Sequence, residues 1–148
     1  MNKVLGLDIG KKRIGISMSD IMGLIAHPVE TISREPENLA VEKIKKLCKD
    51  NNIKTIVAGL PKNMNNSIGD RARTTLEFKA LLEEKLKLEV IMQDERLSTV
   101  EATNYLLEAD LSRKKRKTKV DAVAANIILQ TYLDREREEK IHGRKNDF

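Results

Sequence analysis

Asp8 interrupts Met1-Asn-Lys-Val-Leu-Gly-Leu-Asp-Ile-Gly10, a run that otherwise reads as a buried β-strand. Asp is a poor strand former, and a desolvated carboxylate is costly unless a cation or a hydrogen-bond donor answers it. Asp121 sits among the apolar residues of the last helix: at about 100° per residue it falls between Ile128 and Tyr132, away from Asn126 and Gln130. A third acidic position, Asp94-Glu95, ends another strand. Adjacent strand residues face opposite ways, so only one of these two need point inward. Glu95 has the longer reach and is preferred, with Asp94 open as the alternative. Each acid also has a bland reading. For Asp8 it is a turn cap at the Gly10 bend, for Asp121 a helix N-cap or a partner of Lys119 or Arg96, and for Asp94-Glu95 a wet strand end. Together, three hard oxygen donors without a nearby His or Cys suit Mg²⁺ or Mn²⁺ rather than zinc. Two such ions about 4 Å apart can clamp the attacking and leaving oxygens of a phosphodiester displacement.

Short apolar runs and turn residues supply the frame. Val4–Ile9 and Ile14–Ser19 read as strands joined by the tight basic turn Gly10-Lys-Lys-Arg13. Gly23–Ile32 gives a third strand, at an edge because Pro28 interrupts it. Pro36 opens an amphipathic helix with Ala40, Ile44, Leu47 and Cys48 on one side. Ile53–Ala58 and Leu88–Gln93 are the remaining strands. Between them a polar loop, Lys62–Gly69, leads into a helix with Phe78, Leu81, Leu82 and Leu86 facing inward. Ser98-Thr-Val-Glu101 is a capping box that starts a helix running to about Leu107. A basic loop, residues 113–117, precedes a last helix from about Lys119 to Arg137, and the charged tail 138–148 is expected to fray. The class is α/β: one domain, 1–137, on a mixed five-stranded sheet of order 3-2-1-4-5 with helices on both faces. Strands one, four and five run parallel, because helical crossovers join them. Asp8, Gly59 and Asp94-Glu95 end their strands and so gather at one edge of the sheet.

Composition narrows the partners. The 148 residues are 40% hydrophobic with two Tyr, two Phe and no Trp, enough for one core but poor in base-stacking rings. Net charge is +5, from 28 Lys and Arg against 23 Asp and Glu, and it is unevenly placed. Lys11, Lys12 and Arg13 form one basic cluster; Arg113, Lys114, Lys115, Arg116 and Lys117 form another. Such clusters point to a polyphosphate partner, the bland alternative being a solvated loop. A lone cysteine, Cys48, excludes an internal disulfide framework and reads as a small buried hydrophobe. The apolar start is short and broken by Asp8, and no run approaches membrane-spanning length, so a cytoplasmic protein without membrane partners is expected.

Four motifs together resemble the YqgF/RuvX family, small proteins with a ribonuclease H-like fold related to the junction resolvase RuvC. They are Leu7-Asp-Ile-Gly-Lys-Lys-Arg-Ile-Gly15 with Ser19-Asp20, Gly59-Leu-Pro-Lys-Asn-Met64, Asp94-Glu-Arg-Leu-Ser-Thr99 and Lys119-Val-Asp-Ala-Val-Ala-Ala-Asn-Ile-Ile-Leu-Gln130. The resemblance implies a metal-dependent nuclease with Asp8, Glu95 and Asp121 as catalytic metal ligands. Within the same motifs Asn63 and Arg96 join Lys11, Lys12, Arg13 and the 113–117 run as nucleic-acid contacts. The implied substrate is the precursor of 16S ribosomal RNA, with a four-way DNA junction as the rival. Two positions depart from the family pattern: Lys11 stands where many relatives carry Thr, and Asn66 where Gly usually follows Asn-Met-Asn. Neither removes an implied ligand.

Other classes compete. Junction resolution needs paired active sites, whereas a monomer or weak homodimer suffices for RNA. A non-catalytic RNA-binding domain would bind equally with and without divalent ions. An actin-like nucleotide-binding protein would share Asp8-Ile-Gly10 but needs two lobes, and this chain has room for one.

Overall fold

The computed structural model describes residues 2–61, 69–94 and 113–146, with the backbone alone for 113–120 and 142–146. Strands β1 (Val4–Ile9) and β2 (Arg13–Ser19) form an antiparallel hairpin, and β3 (Ala26–Ser33) adds antiparallel to β2. Strands β4 (Thr55–Leu60) and β5 (Val90–Asp94) lie parallel on the other side of β1, giving the expected order β3-β2-β1-β4-β5. Three helices are described: α1 (Glu37–Asp50), α2 (Asp70–Leu86) and α3 (Arg113–Asn146).

Strand alternation sorts the side chains into two layers. Leu5, Leu7 and Ile9 of β1 join Ile14, Ile16 and Ile56 in a core closed by Ile44 and Cys48 of α1 and Phe78 and Leu82 of α2. Burial pushes the Cys48 thiol up to about 11, so it carries no reactive thiolate near neutrality. On the other face, Val57 of β4 packs with Ile128, Leu129 and Leu133 of α3, and Val4 and Ile91 cover that cluster. Here β1 and β2 present small residues. A Cβ on Gly6 would strike the Ser17 hydroxyl and come within 2.7 Å of the Leu129 Cβ. Ser17 itself donates to the Ala125 carbonyl of α3 at 2.8 Å.

Boundaries shift where side chains intervene. The third strand begins at Ala26, not Gly23, because Asp20 closes a turn: its carboxylate accepts the N–H groups of Leu24 (2.7 Å) and Ile25 (3.2 Å). The Leu24 bond foremost holds the Asp20 carboxyl below its usual range. Gln130 of α3 pins the same turn, accepting from Ala26 N–H at 2.8 Å and donating to the Leu24 carbonyl at 2.9 Å.

Two expectations for the C-terminal third need correcting. The basic run 113–117 is not a loop but the start of α3. Lys and Arg are strong helix formers, and here that propensity outweighs their unfavourable position at the positive end of the helix. The tail is helical as well, α3 continuing past Arg137 to Asn146. Arg135-Glu-Arg-Glu-Glu-Lys140 contains only good helix formers, and Arg137 pairs with Asp134 at 3.0 Å across one turn. The capping box at Ser98 and its expected helix lie outside the described residues. Among the described residues, no helix is long and apolar enough to cross a membrane.

Candidate active site

Asp8 is the penultimate residue of β1 and only 6% exposed. It lies directly across from Gly15 in the β1–β2 ladder. Gly6, two residues earlier, faces α3, so by alternation Asp8 faces α3 too. Gly15 explains how the second acid reaches it. A Cβ at Gly15 would collide with the backbone carbonyl of Asp121. The first motif of the chain and its last therefore touch at one point, with Asp8 and Asp121 on the same face beside it.

Each carboxylate is answered by an arginine. Arg13 Nε donates to Asp121 Oδ2 at 2.9 Å, and Arg71 Nη2 stands 3.8 Å from Asp8 Oδ1. Asp121 thus pairs with the first residue of β2; Arg96 and the Lys119 side chain, its partners in the bland reading, lie outside the described residues. Asp8 has a cation the sequence did not suggest. Arg71 belongs to the first turn of α2 and reaches the strand ends from the opposite layer.

The third acidic position splits. On β5, Ile91 and Gln93 lie on the α3 face, Gln93 donating to the Ile128 carbonyl at 3.0 Å. Met92 packs into the other core, and Asp94 shares its side of the strand. Asp94 pairs in register with Leu60 at the carboxyl edge of the sheet, the edge expected for Asp8, Gly59 and Asp94. Glu95, Arg96 and Asn63 lie outside the described residues. Among the described residues no cluster of three acids, histidines or cysteines forms.

Lys11 and Lys12 are exposed in the turn between β1 and β2, which the Gly10 N–H closes on the Arg13 carbonyl at 2.9 Å. Of Arg113, Lys114, Lys115, Arg116 and Lys117 the backbone places a helical turn eight to four residues before Asp121 on the same helix. Asp20 of the first motif is not part of this cluster; it builds the turn beyond the other end of β2.

Arg34 anchors the arrangement and was also missed. It is 6% exposed, donates to the Gly10 carbonyl at 3.1 Å and the Thr74 carbonyl at 2.9 Å, and lies 5.3 Å from the Phe78 ring centroid. One guanidinium therefore ties the end of β1 to the helix that carries Arg71. A lysine cannot span both carbonyls. Arg34→Lys is expected to lower stability by about 1.5–3 kcal/mol in urea unfolding, the value of a lost buried hydrogen bond to a charged group.

A mixed sheet of order 3-2-1-4-5 with α1 and α2 on one face and α3 on the other is the ribonuclease H-like fold. Thermus thermophilus RuvC in complex with a Holliday junction substrate superposes with a TM-score of 0.59 at 12% identity, over 92% of this chain and 96% of that one. The family model described as "RuvX: Holliday junction resolvase" matches residues 2–135, and the chain belongs to that family. A Clostridium botulinum protein named "Putative pre-16S rRNA nuclease" is 53% identical over 132 residues, 89% of this chain and 96% of the relative. One of the same name from Staphylococcus haemolyticus is 51% identical over 136 residues, 90% and 96% of the two chains.

Proposed function

We propose that the chain is a Mg²⁺- or Mn²⁺-dependent nuclease of structured RNA, cutting the 16S ribosomal RNA precursor in the cytoplasm. The observation that carries this is the convergence of Asp8 and Asp121 across Gly15, each neutralised by an arginine. Two carboxylates brought together at a strand edge repel each other and call for positive charge. The donor set fits a hard divalent cation: carboxylate oxygens on one face, with Cys48 buried in the opposite core and His27 at the far end of β2's partner strand. Asp94 lies on the Met92 side of β5, away from the face that carries Asp8, so Glu95 is retained as the third ligand of this reading. A cation held by Asp8, Glu95 and Asp121 would supply Lewis acidity and charge neutralisation at a phosphodiester. Lys11, Lys12 and Arg13 would grip phosphates flanking the scissile bond, and Asn63, Arg96 and the 113–117 run would extend that grip along the substrate. The domain acting on RNA would be residues 1–137, as a monomer or weak homodimer.

The family description favours one second reading, resolution of a four-way DNA junction. Incubation of the pure protein with precursor 16S rRNA and with a synthetic junction, in Mn²⁺ or in EDTA, separates the two. The expected result is metal-dependent cleavage of the RNA, with the junction intact. Symmetric cutting of the junction and an untouched RNA would transfer the assignment to DNA. Equal binding of both with no cleavage in either condition would end the catalytic reading.

A further inference from the structure

Arg71 enters the reading above only as the charge that answers Asp8, yet its position is specific. It projects from the first turn of α2 to within 3.8 Å of Asp8, while its side chain remains 51% exposed against 8% for the Asp8 side chain. A buried carboxylate thus has one flank covered by a cation that is itself open to solvent. The anchoring of α2 through Arg34 to the Gly10 carbonyl holds this geometry at the end of β1. On the other carboxylate Arg13 does the equivalent, 2.9 Å from Asp121 and equally open.

We infer that Arg71 is an exchangeable counterion: it neutralises Asp8 in the metal-free protein and turns to a substrate phosphate once a divalent cation takes its place. The inference rests on the metal-binding reading of Asp8. The physical case is competition. A guanidinium beside a metal-ligand oxygen raises the free energy of loading the cation there, since both satisfy the same charge. An ion pair at 3.8 Å whose cation is half-exposed is weak enough to be displaced, and guanidinium geometry matches phosphate as well as carboxylate. Released from Asp8, Arg71 remains at the carboxyl edge of the sheet, beside the bond to be cut. It would therefore add a phosphate contact only in the metal-loaded state.

The test uses the full chain. Calorimetry with Mn²⁺ alone compares wild type, Arg71→Gln, Arg71→Lys and Asp8→Asn. Arg71→Gln is expected to bind Mn²⁺ about two- to fivefold tighter, the scale of one exposed ion pair removed. Anisotropy with a phosphorothioate-substituted precursor stem, in Mn²⁺ and at several salt concentrations, reads the second half. Arg71→Gln should show a salt dependence shallower by about one unit of log K against log salt, and Arg71→Lys should restore the wild-type slope. A merely structural arginine would lower the melting temperature and move neither quantity. Unchanged or weaker Mn²⁺ binding in Arg71→Gln, alongside lost binding in Asp8→Asn, overturns this inference alone. Undiminished Mn²⁺ binding in Asp8→Asn overturns the metal site itself, and the inference with it.

Discussion

Asp8→Asn protein will melt close to wild type and cleave precursor RNA about 10²- to 10³-fold more slowly at saturating Mn²⁺, the usual scale for removing one group that stabilises transition-state charge. The small effect on stability follows from isosteric size and from the partner. Arg71 is half-exposed, so its pairing with Asp8 contributes under about 1 kcal/mol. The large effect on rate follows from position. Asp8 is the most buried acid among the described residues and sits on the sheet, paired with Gly15 of β2 and next to Leu7, which is registered with Ala58 of β4. Single-turnover cleavage, with circular dichroism as the fold control, checks both halves. A variant that folds and cleaves as wild type does would remove Asp8 from the chemistry.

Much of this frame was legible in the residues because its constraints are local. The link Gly10–Lys12 is too short for anything but a hairpin, and the helices between β3 and β4 and between β4 and β5 impose crossovers. The sheet order follows from those links. Asp8 and Asp121 were legible for another reason: each violates the apolar pattern of its element, and such violations are where function tends to sit. The arginines were not. Arg71 lies at the start of α2 and Arg34 just past the end of β3, where charge is ordinary, and their meaning comes only from carbonyls and carboxylates far along the chain: Thr74 is 40 residues from Arg34. The basic start of α3 was misread because charge density was weighed above helix propensity. The side of β5 that Asp94 takes could not be settled by local pattern either; it needed Met92 and Gln93 assigned to their layers.

The small residues of the β1–β2 hairpin carry a further signal. Gly15, Ser17 and Ser19 alternate along β2, and Gly6 stands beside Ser17 on β1, so one face of this hairpin is paved with small residues. Such paving is needed only if another backbone approaches closely, as α3 does. Gly15 is the tightest point, and Gly15→Ala is the strongest test of the design. Its Cβ would overlap the Asp121 carbonyl, which is helix backbone and cannot rotate away. Either α3 lifts from the sheet or the hairpin twists, and overpacking of this kind costs about 1–3 kcal/mol or somewhat more. Either movement also drags Asp121 from its place beside Asp8. A misplacement of about 1 Å at a reacting centre can lower the rate about 10²-fold. The expected variant is therefore folded but several degrees less stable, with weakened Mn²⁺ binding and cleavage depressed about as far as a lost ligand would depress it. Gly23→Ala serves as the control for cleavage and metal affinity: it too costs stability, because Gly23 has a φ of 69°, but it has open space around it and lies away from the site. If Gly15→Ala kept wild-type stability and metal affinity, α3 could not lie against β2 as described, and the meeting of Asp8 and Asp121 would lose its structural basis.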